Sequence, residues 1–277
     1  MVDLRVVVAR FDESGPTVTW LGEYHVDGEV NFRLGRAGDE LVADWPGFCT
    51  LRAHRRTGDS EFVAAPGADP AVVDKLHRGL ATALLRHLDD KLTLHAGAVA
   101  IRGRGVAILG ESRAGKSTTV AELGRRAGVE HYADDTAALE IAAGGGIRVT
   151  PTEAVSWLLD DARAALGLGG GSGKVAVDAR RRGAAAAPLA LMVKLVFDDA
   201  IAAPRVRPLH GHDALRELVP QVVRFVIDEP RAQLREFDHL RALLSTVPFF
   251  EIARPRDLAS LAPTADAIAA LLDEAAP

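Results

Sequence analysis

The chain has 277 residues, 48% of them hydrophobic and 26% charged, which makes an ordered globular chain the default expectation and allows one sizeable core plus a smaller layer. A net charge of −5 and a pI near 6.0 give no general attraction to nucleic acid, and no apolar run approaches the roughly 18 residues that cross a bilayer, so neither nucleic acid nor membrane is an expected partner. Cys49 is the only cysteine, which rules out an internal disulfide and a cysteine-based zinc cage and fits a reducing cytoplasm.

Residues 1–90 read as an N-terminal β-rich domain. Its runs LRVVVARF (4–11), TVTWLGEYHV (17–26), EVNFRLG (29–35) and FCTLRAHRR (48–56) are separated by Gly, Asp and Pro, the punctuation of a small antiparallel sheet. The domain closes on an amphipathic helix begun by Asp69 and Pro70, in which Val72, Leu76, Leu80, Leu84 and Leu88 recur at i+4.

Residues 91–277 read as a second, α/β domain. KLTLHAGAVAIRG and GVAILG are two strands joined by a tight turn, and the second runs into GESRAGKST at 110–118. KSTTVAELGRR is a helix of about three turns ending at Gly128, and VEHYADD is the next strand. Beyond it, ALEIAAGGGIRVTP reads as a hairpin, EAVSWLLDDARAAL as a helix, GLGGGSGK (167–174) as a lid or a linker, and PLALMVKLVFDD as one or two buried strands. The tail carries helices at DALRELVPQVVRF, PRAQLREFDHLRALLS and APTADAIAALLDE, with a strand at VPFFEIARP.

The spacing Gly110-x4-Gly115-Lys116-Ser117 is a complete phosphate-binding loop. Its backbone N–H groups and the helix start that follows meet phosphate charge, Lys116 reaches the outer phosphates, and the Ser117 hydroxyl completes the shell of a Mg2+ ion. The nucleotide-binding set is Gly110, Glu111, Ser112, Arg113, Ala114, Gly115, Lys116, Ser117 and Thr118. Phosphoryl transfer also needs carboxylates. Asp89-Asp90 and Asp160-Asp161 lie on or beside amphipathic helices and read as solvated acids. Asp198-Asp199 closes a hydrophobic strand and competes for the metal. Asp134-Asp135 is better placed, because it ends the strand that directly follows the loop helix. The only asparagine is Asn31, so the Asn-Lys-x-Asp element of a GTPase is absent, as are the signatures of transporter ATPases and eukaryotic-type protein kinases.

The window from residue 94 to 140 resembles the catalytic core of the HPr kinase/phosphorylase family, which is similar in fold to phosphoenolpyruvate carboxykinase. Leu94-His95-Ala96, the loop and Ala133-Asp134-Asp135 stand in the family's order and at closely similar spacing. The tail from Val247 resembles the ends of shorter HPr-kinase-related proteins, some of them encoded beside lasso-peptide pathways, where they phosphorylate a precursor serine. The resemblance implies an α/β P-loop core of the carboxykinase-like kind with a small N-terminal β-rich layer, and a kinase using ATP and Mg2+. It implies Asp134 as general base, Asp135 with Ser117 as metal-side groups, Lys116 on the phosphates and His95 beside the reacting phosphate. The acceptor it implies is a Ser or Thr hydroxyl of a small protein or ribosomal precursor peptide, and the family's hexamers make a homo-oligomer compatible with it.

Two departures stand out: the family usually has glycine where Arg113 stands, and its longer signature after the Asp pair is not recognisable, so HPr and the reverse reaction are not implied. Two further readings remain open, a kinase of a small-molecule alcohol or acid and a nucleotide-binding regulator that transfers nothing. Glu153 loosely matches a later acid of the resembled family but reads better as a helix-start acid, Arg180-Arg181-Arg182 as a phosphate-steadying cluster or a solvated turn, and His210-Gly211-His212-Asp213 as surface polar residues rather than a zinc site.

Overall fold

The computed structural model describes residues 6–8, 17–142, 144–169, 173–225 and 230–275. The chain divides into two compact units, Met1–Asp90 with Arg224–Pro230, and Lys91–Val223 with Arg231–Pro277. The break after Asp90 follows the amphipathic helix that closes the first unit. The return of 224–230 to the first unit departs from an uninterrupted second domain.

In the first unit, β1 (Val6–Val8), β2 (Thr19–Val26), β3 (Glu29–Ala37), β4 (Glu40–Trp45), β5 (Cys49–His54) and β6 (Ser60–Ala64) form a sheet in the order β1-β6-β5-β4-β3-β2. All its pairings are antiparallel except β1 with β6. α1 (Pro70–Leu76) starts as the sequence predicts, with the Asp69 side chain accepting from the Ala71 N–H at 2.8 Å. The helix does not run on regularly. Residues His77–Ala81 form a wider π turn before α2 (Thr82–Leu88), and the Thr82 hydroxyl donates to the His77 carbonyl at 2.7 Å. Val73, Ala81, Leu84 and Leu85 pack on Leu34, Leu51 and Phe62 of the sheet, whereas Leu80 of the expected apolar stripe is exposed.

The second unit is a mixed α/β layer structure. Its central strands are β7 (Thr93–Leu94), β8 (Gly97–Ile101), β9 (Arg104–Leu109), β10 (Val129–Ala133), β11 (Ala137–Ile141), β12 (Ile147–Thr150) and the long β15 (Ala187–Phe197). β10, β8, β9 and β15 are successive neighbours; the start of β15 continues into β12, β11 and β7, and its C-terminal half pairs with β17 (Phe249–Arg254), which β16 (Arg205–Pro208) edges. Strands β9, β15 and β17 are mutually parallel; β8 runs against β9, and β10 against β8. One rim of the sheet therefore gathers the carboxyl ends of β9, β10, β15 and β17 and the amino end of β8.

Both faces of this sheet are buried, which explains its near-continuous apolar runs. Val106 and Ile108 of β9 face one cluster with Val120 and Leu123 of α3 (Lys116–Gly124) and Ala265 and Ile268 of α7 (Leu261–Glu274); Ala107 and Leu109 face the other, with Leu218 of α5 (Gly211–Leu218) and Leu240 of α6 (Pro230–Thr246). α3 crosses β8 so closely that a Cβ at Gly97 would stand 2.5 Å from Val120 Cγ2. It ends earlier than the sequence suggests, at Gly124, where Arg125 and Arg126 bond back to Glu122 and Leu123 in tighter i→i−3 fashion.

The stretch EAVSWLLDDARAAL is not one helix. Val155–Leu158 forms β13, antiparallel to β14 (Val175–Asp178), and only Asp160–Ala165 is helical, as α4. The segment between them, GLGGGSGK, includes residues 170–172, which lie outside the described residues.

Candidate active site

The rim carries the sequence-predicted groups. The loop follows β9, Asp134 and Asp135 follow β10, and His95 occupies the two-residue break between β7 and β8 rather than a strand position. β8 stands between β9 and β10, so the loop and the aspartate pair share a rim without being on neighbouring strands. A cleft of about 640 Å³ is lined there by His95, Ser112, Arg113, Gly115, Lys116, Ser117, Thr118, Asp135, Trp157, Lys174, Phe197, Arg254 and Arg256 among others.

The loop closes on itself through its carbonyls. Ala114 N–H donates to the Glu111 carbonyl at 3.1 Å, and the Lys116 ammonium donates to the Gly110 and Glu111 carbonyls at 2.8 and 3.1 Å. Gly110, Glu111 and Ala114 therefore shape the loop from behind, while Ser112, Arg113 and Gly115 to Thr118 border the cleft. Gly115 has φ +87°, and a Cβ there would run into the Arg254 guanidinium. Arg113 has φ +66°, a left-handed conformation that glycine adopts freely and arginine does not.

Lys116 Nζ lies 3.1 Å from His95 Nε2, and His95 Nδ1 lies 3.4 Å from Asp135 Oδ1. An ammonium can only donate, so Nε2 accepts and the imidazole proton sits on Nδ1, facing Asp135. Burial lowers the pKa of His95, with Asp135 opposing and Lys116 adding to the effect, which keeps the ring neutral near pH 7. Burial likewise lowers that of Lys116, against the pull of Asp135 and Asp134.

The two aspartates differ sharply. Asp134 is 1% exposed; its Oδ2 accepts from Ser117 Oγ at 3.0 Å and from the Trp157 N–H at 3.1 Å, while its Oδ1 is buried and accepts no hydrogen bond. Burial pushes its pKa up to about 6, against the Trp157 bond. Asp135 lines the cleft with its side chain 38% exposed. The sequence expects Asp134 to face an incoming hydroxyl and Asp135 the metal; in access, the open carboxylate is Asp135, and the one tied to Ser117 is Asp134.

Glu153 is not a helix-start acid. It lies in the extended segment before β13, 9% exposed, where Oε2 accepts the Asp134 N–H at 2.7 Å and Oε1 accepts the Thr136 hydroxyl at 3.1 Å. Burial, with Asp134 nearby, pushes its pKa up to about 7. The sequence signals for it are its place after the β11–β12 hairpin and a loose match to a later acid of the resembled family.

No protein-family model matches this sequence, and no curated protein does. Among solved structures, the Hpr(Ser) kinase/phosphatase from Coxiella burnetii is similar at a TM-score of 0.35 and 18% identity, over 66% of this chain and 98% of that one. At that distance the chemistry has to be read from the residues.

The donor set at the loop suits Mg2+. This ion takes one or two carboxylates, waters and substrate phosphates rather than an all-protein cage, and Asp134 offers an unengaged oxygen on the carboxylate that holds Ser117. Among the described residues no three His, Cys, Asp or Glu side chains gather closely enough to hold a metal unaided. Asp198 and Asp199 are engaged elsewhere: Asp198 accepts from the Ala200 N–H and pairs with Arg205, and Asp199 accepts from the Arg256 N–H. Arg181 and Gly183 bond through their backbones to His131 of β10, Arg182 pairs with Asp178, and none of the three arginines at 180–182 lines the cleft. His210 precedes α5, whose first turn holds Asp213, paired with Arg216.

Proposed function

We propose that this chain is a phosphotransferase that uses ATP and Mg2+ to phosphorylate a Ser or Thr hydroxyl, carried by a small protein or a ribosomal natural-product precursor peptide. The observation that carries the reading is the pair of adjacent aspartates in unlike settings beside a complete phosphate loop, one bonded to Ser117 and the other open to the cleft with His95.

In this reading the loop N–H groups and Lys116 bind the phosphates, and Ser117 and Asp134 hold Mg2+, which when bound neutralises charge on them. Asp135 accepts the proton of the attacking hydroxyl as its oxygen forms a bond to the terminal phosphorus and ADP departs. His95, whose Nδ1 lies 3.4 Å from the Asp135 carboxylate, orients it. Glu153 fixes the backbone from which both aspartates project. The peptide class of acceptor comes from the sequence resemblance, and the cations Arg113, Lys174 and Arg256 at the cleft suit an acidic acceptor segment.

The test is transfer from γ-labelled ATP with Mg2+ to a panel of HPr, precursor peptides and small alcohols, run beside Asp135→Asn and Lys116→Ala. Label on one protein or peptide, lost in Asp135→Asn, establishes the reading. Label on a small alcohol alone replaces the acceptor class, ATP binding without any transfer leaves a regulator, and no ATP binding refutes the nucleotide site.

A further inference from the structure

Arg254 ends β17 at the rim that bears the phosphate loop. It is 2% exposed, yet it borders the cleft. One guanidinium nitrogen donates to the Ala114 carbonyl at 3.2 Å, another donates to Ser260 Oγ at 3.2 Å, and the group lies 4.7 Å from the Phe197 ring centroid. Its Nε is buried with no hydrogen-bond partner.

The other buried cations set the contrast. Arg163 pairs with Asp160 and Lys194 with Glu217, whereas Lys116 and Arg254 have no carboxylate within ion-pair distance among the described residues. Both border Gly115, Lys116 by following it and Arg254 by packing against it. The start of α3 adds a third positive feature at the same place. A buried cation without a counter-charge is costly, and Arg254 is held so beside Lys116 and the positive end of a helix, whereas Lys116 at least feels Asp134 and Asp135 nearby. Both cations border the cleft, which gives an anion access to them.

We propose that Arg254 is a phosphate-binding residue of this site, a cationic arm beneath the loop that acts with Lys116 and is supplied by the chain itself. The proposal rests on the reading of the loop as a nucleotide site. Two neutral acceptors hold its guanidinium in place, Phe197 covers one face, and the unengaged N–H groups are left for phosphate oxygens. Arg254 lies in the tail that carries part of the resemblance, but no motif there gives it a role, because it reaches the loop from the opposite end of the second unit's sequence.

The experiment measures the affinity of the full chain for pyrophosphate by calorimetry, and its melting temperature with and without pyrophosphate. The wild type is compared with Arg254→Met, Arg254→Gln, Arg254→Lys and Lys116→Ala. The expected result is that the Met and Gln variants melt no earlier than wild type without pyrophosphate and bind it about 10- to 100-fold more weakly, the loss set by one charge-assisted contact. Arg254→Lys keeps affinity within several-fold. If the neutral variants melt early but bind pyrophosphate as wild type does, Arg254 is only a brace for Ala114 and Ser260 and the proposal is overturned. If the neutral variants do not fold, the Lys variant decides, and a tenfold loss there overturns it. Pyrophosphate binding too weak to measure in wild type and Lys116→Ala alike would refute the phosphate site itself, a failure separate from that of Arg254.

Discussion

Asp134 and Asp135 are adjacent in sequence, but Asp134 is buried on Ser117 while Asp135 opens to the cleft. Asp135→Asn should lower the turnover of phosphate transfer by about 100-fold or more while leaving ATP affinity within a few-fold, read by single-turnover transfer beside equilibrium binding. Asp134→Asn should instead weaken the Mg2+ dependence of nucleotide binding. Glu153 gives a pH prediction. An acid whose pKa is raised in the fold favours the folded state in its protonated form, so its contribution is full below about pH 4.5 and is lost as pH rises through about 7. Denaturant melts across that window should show the wild type losing stability relative to Glu153→Gln as pH increases. The loop, the aspartate pair and His95 were legible in the sequence because each sits in a short local pattern. The contacts of Glu153 and Arg254 were not, because each acts on residues far away in sequence that only the folded sheet brings near.

At the scale of elements, the loop combines a turn that demands glycine with one that tolerates a misfit. Gly115 has both a left-handed backbone and the Arg254 guanidinium against it, so Gly115→Ala should destabilise the fold and abolish nucleotide binding together. Arg113 occupies a left-handed position with a full side chain, and Arg113→Gly should raise the stability of the nucleotide-free protein by up to about 1 kcal/mol, measured by chemical denaturation. The long apolar runs of β9 and β15 and the helices α3, α5, α6 and α7 could be read from periodicity, though α3 is shorter than read. Strands β4, β6, β13, β14 and β16 could not. β13 shows why: Val155–Leu158 runs into α4 and carries helix-like apolar spacing, and it becomes a strand only by pairing with Val175–Asp178 beyond a glycine-rich connection.

For the whole molecule, each unit has a hydrophobic core of its own. Cys49 is buried in the first, with its thiol pushed up to about 12 by burial, and so should label only when that unit opens. Pyrophosphate should raise the denaturant midpoint of the second unit, followed by hydrogen exchange in α3 and β9, while leaving the midpoint for Cys49 labelling unchanged; a shift in both by the same amount would show a single cooperative unit. The boundary after Asp90 could be read from the helix that closes the first unit, but not the return of 224–230, which has no distinctive sequence. Phe225, in that returning segment, packs against Phe32 and His87 of the first unit at ring separations of 6.3 and 6.0 Å. A ribosome releases the strands and helix of the first unit long before it releases this aromatic, so during synthesis the nascent N-terminal unit waits with an apolar flank open until most of its companion has been translated.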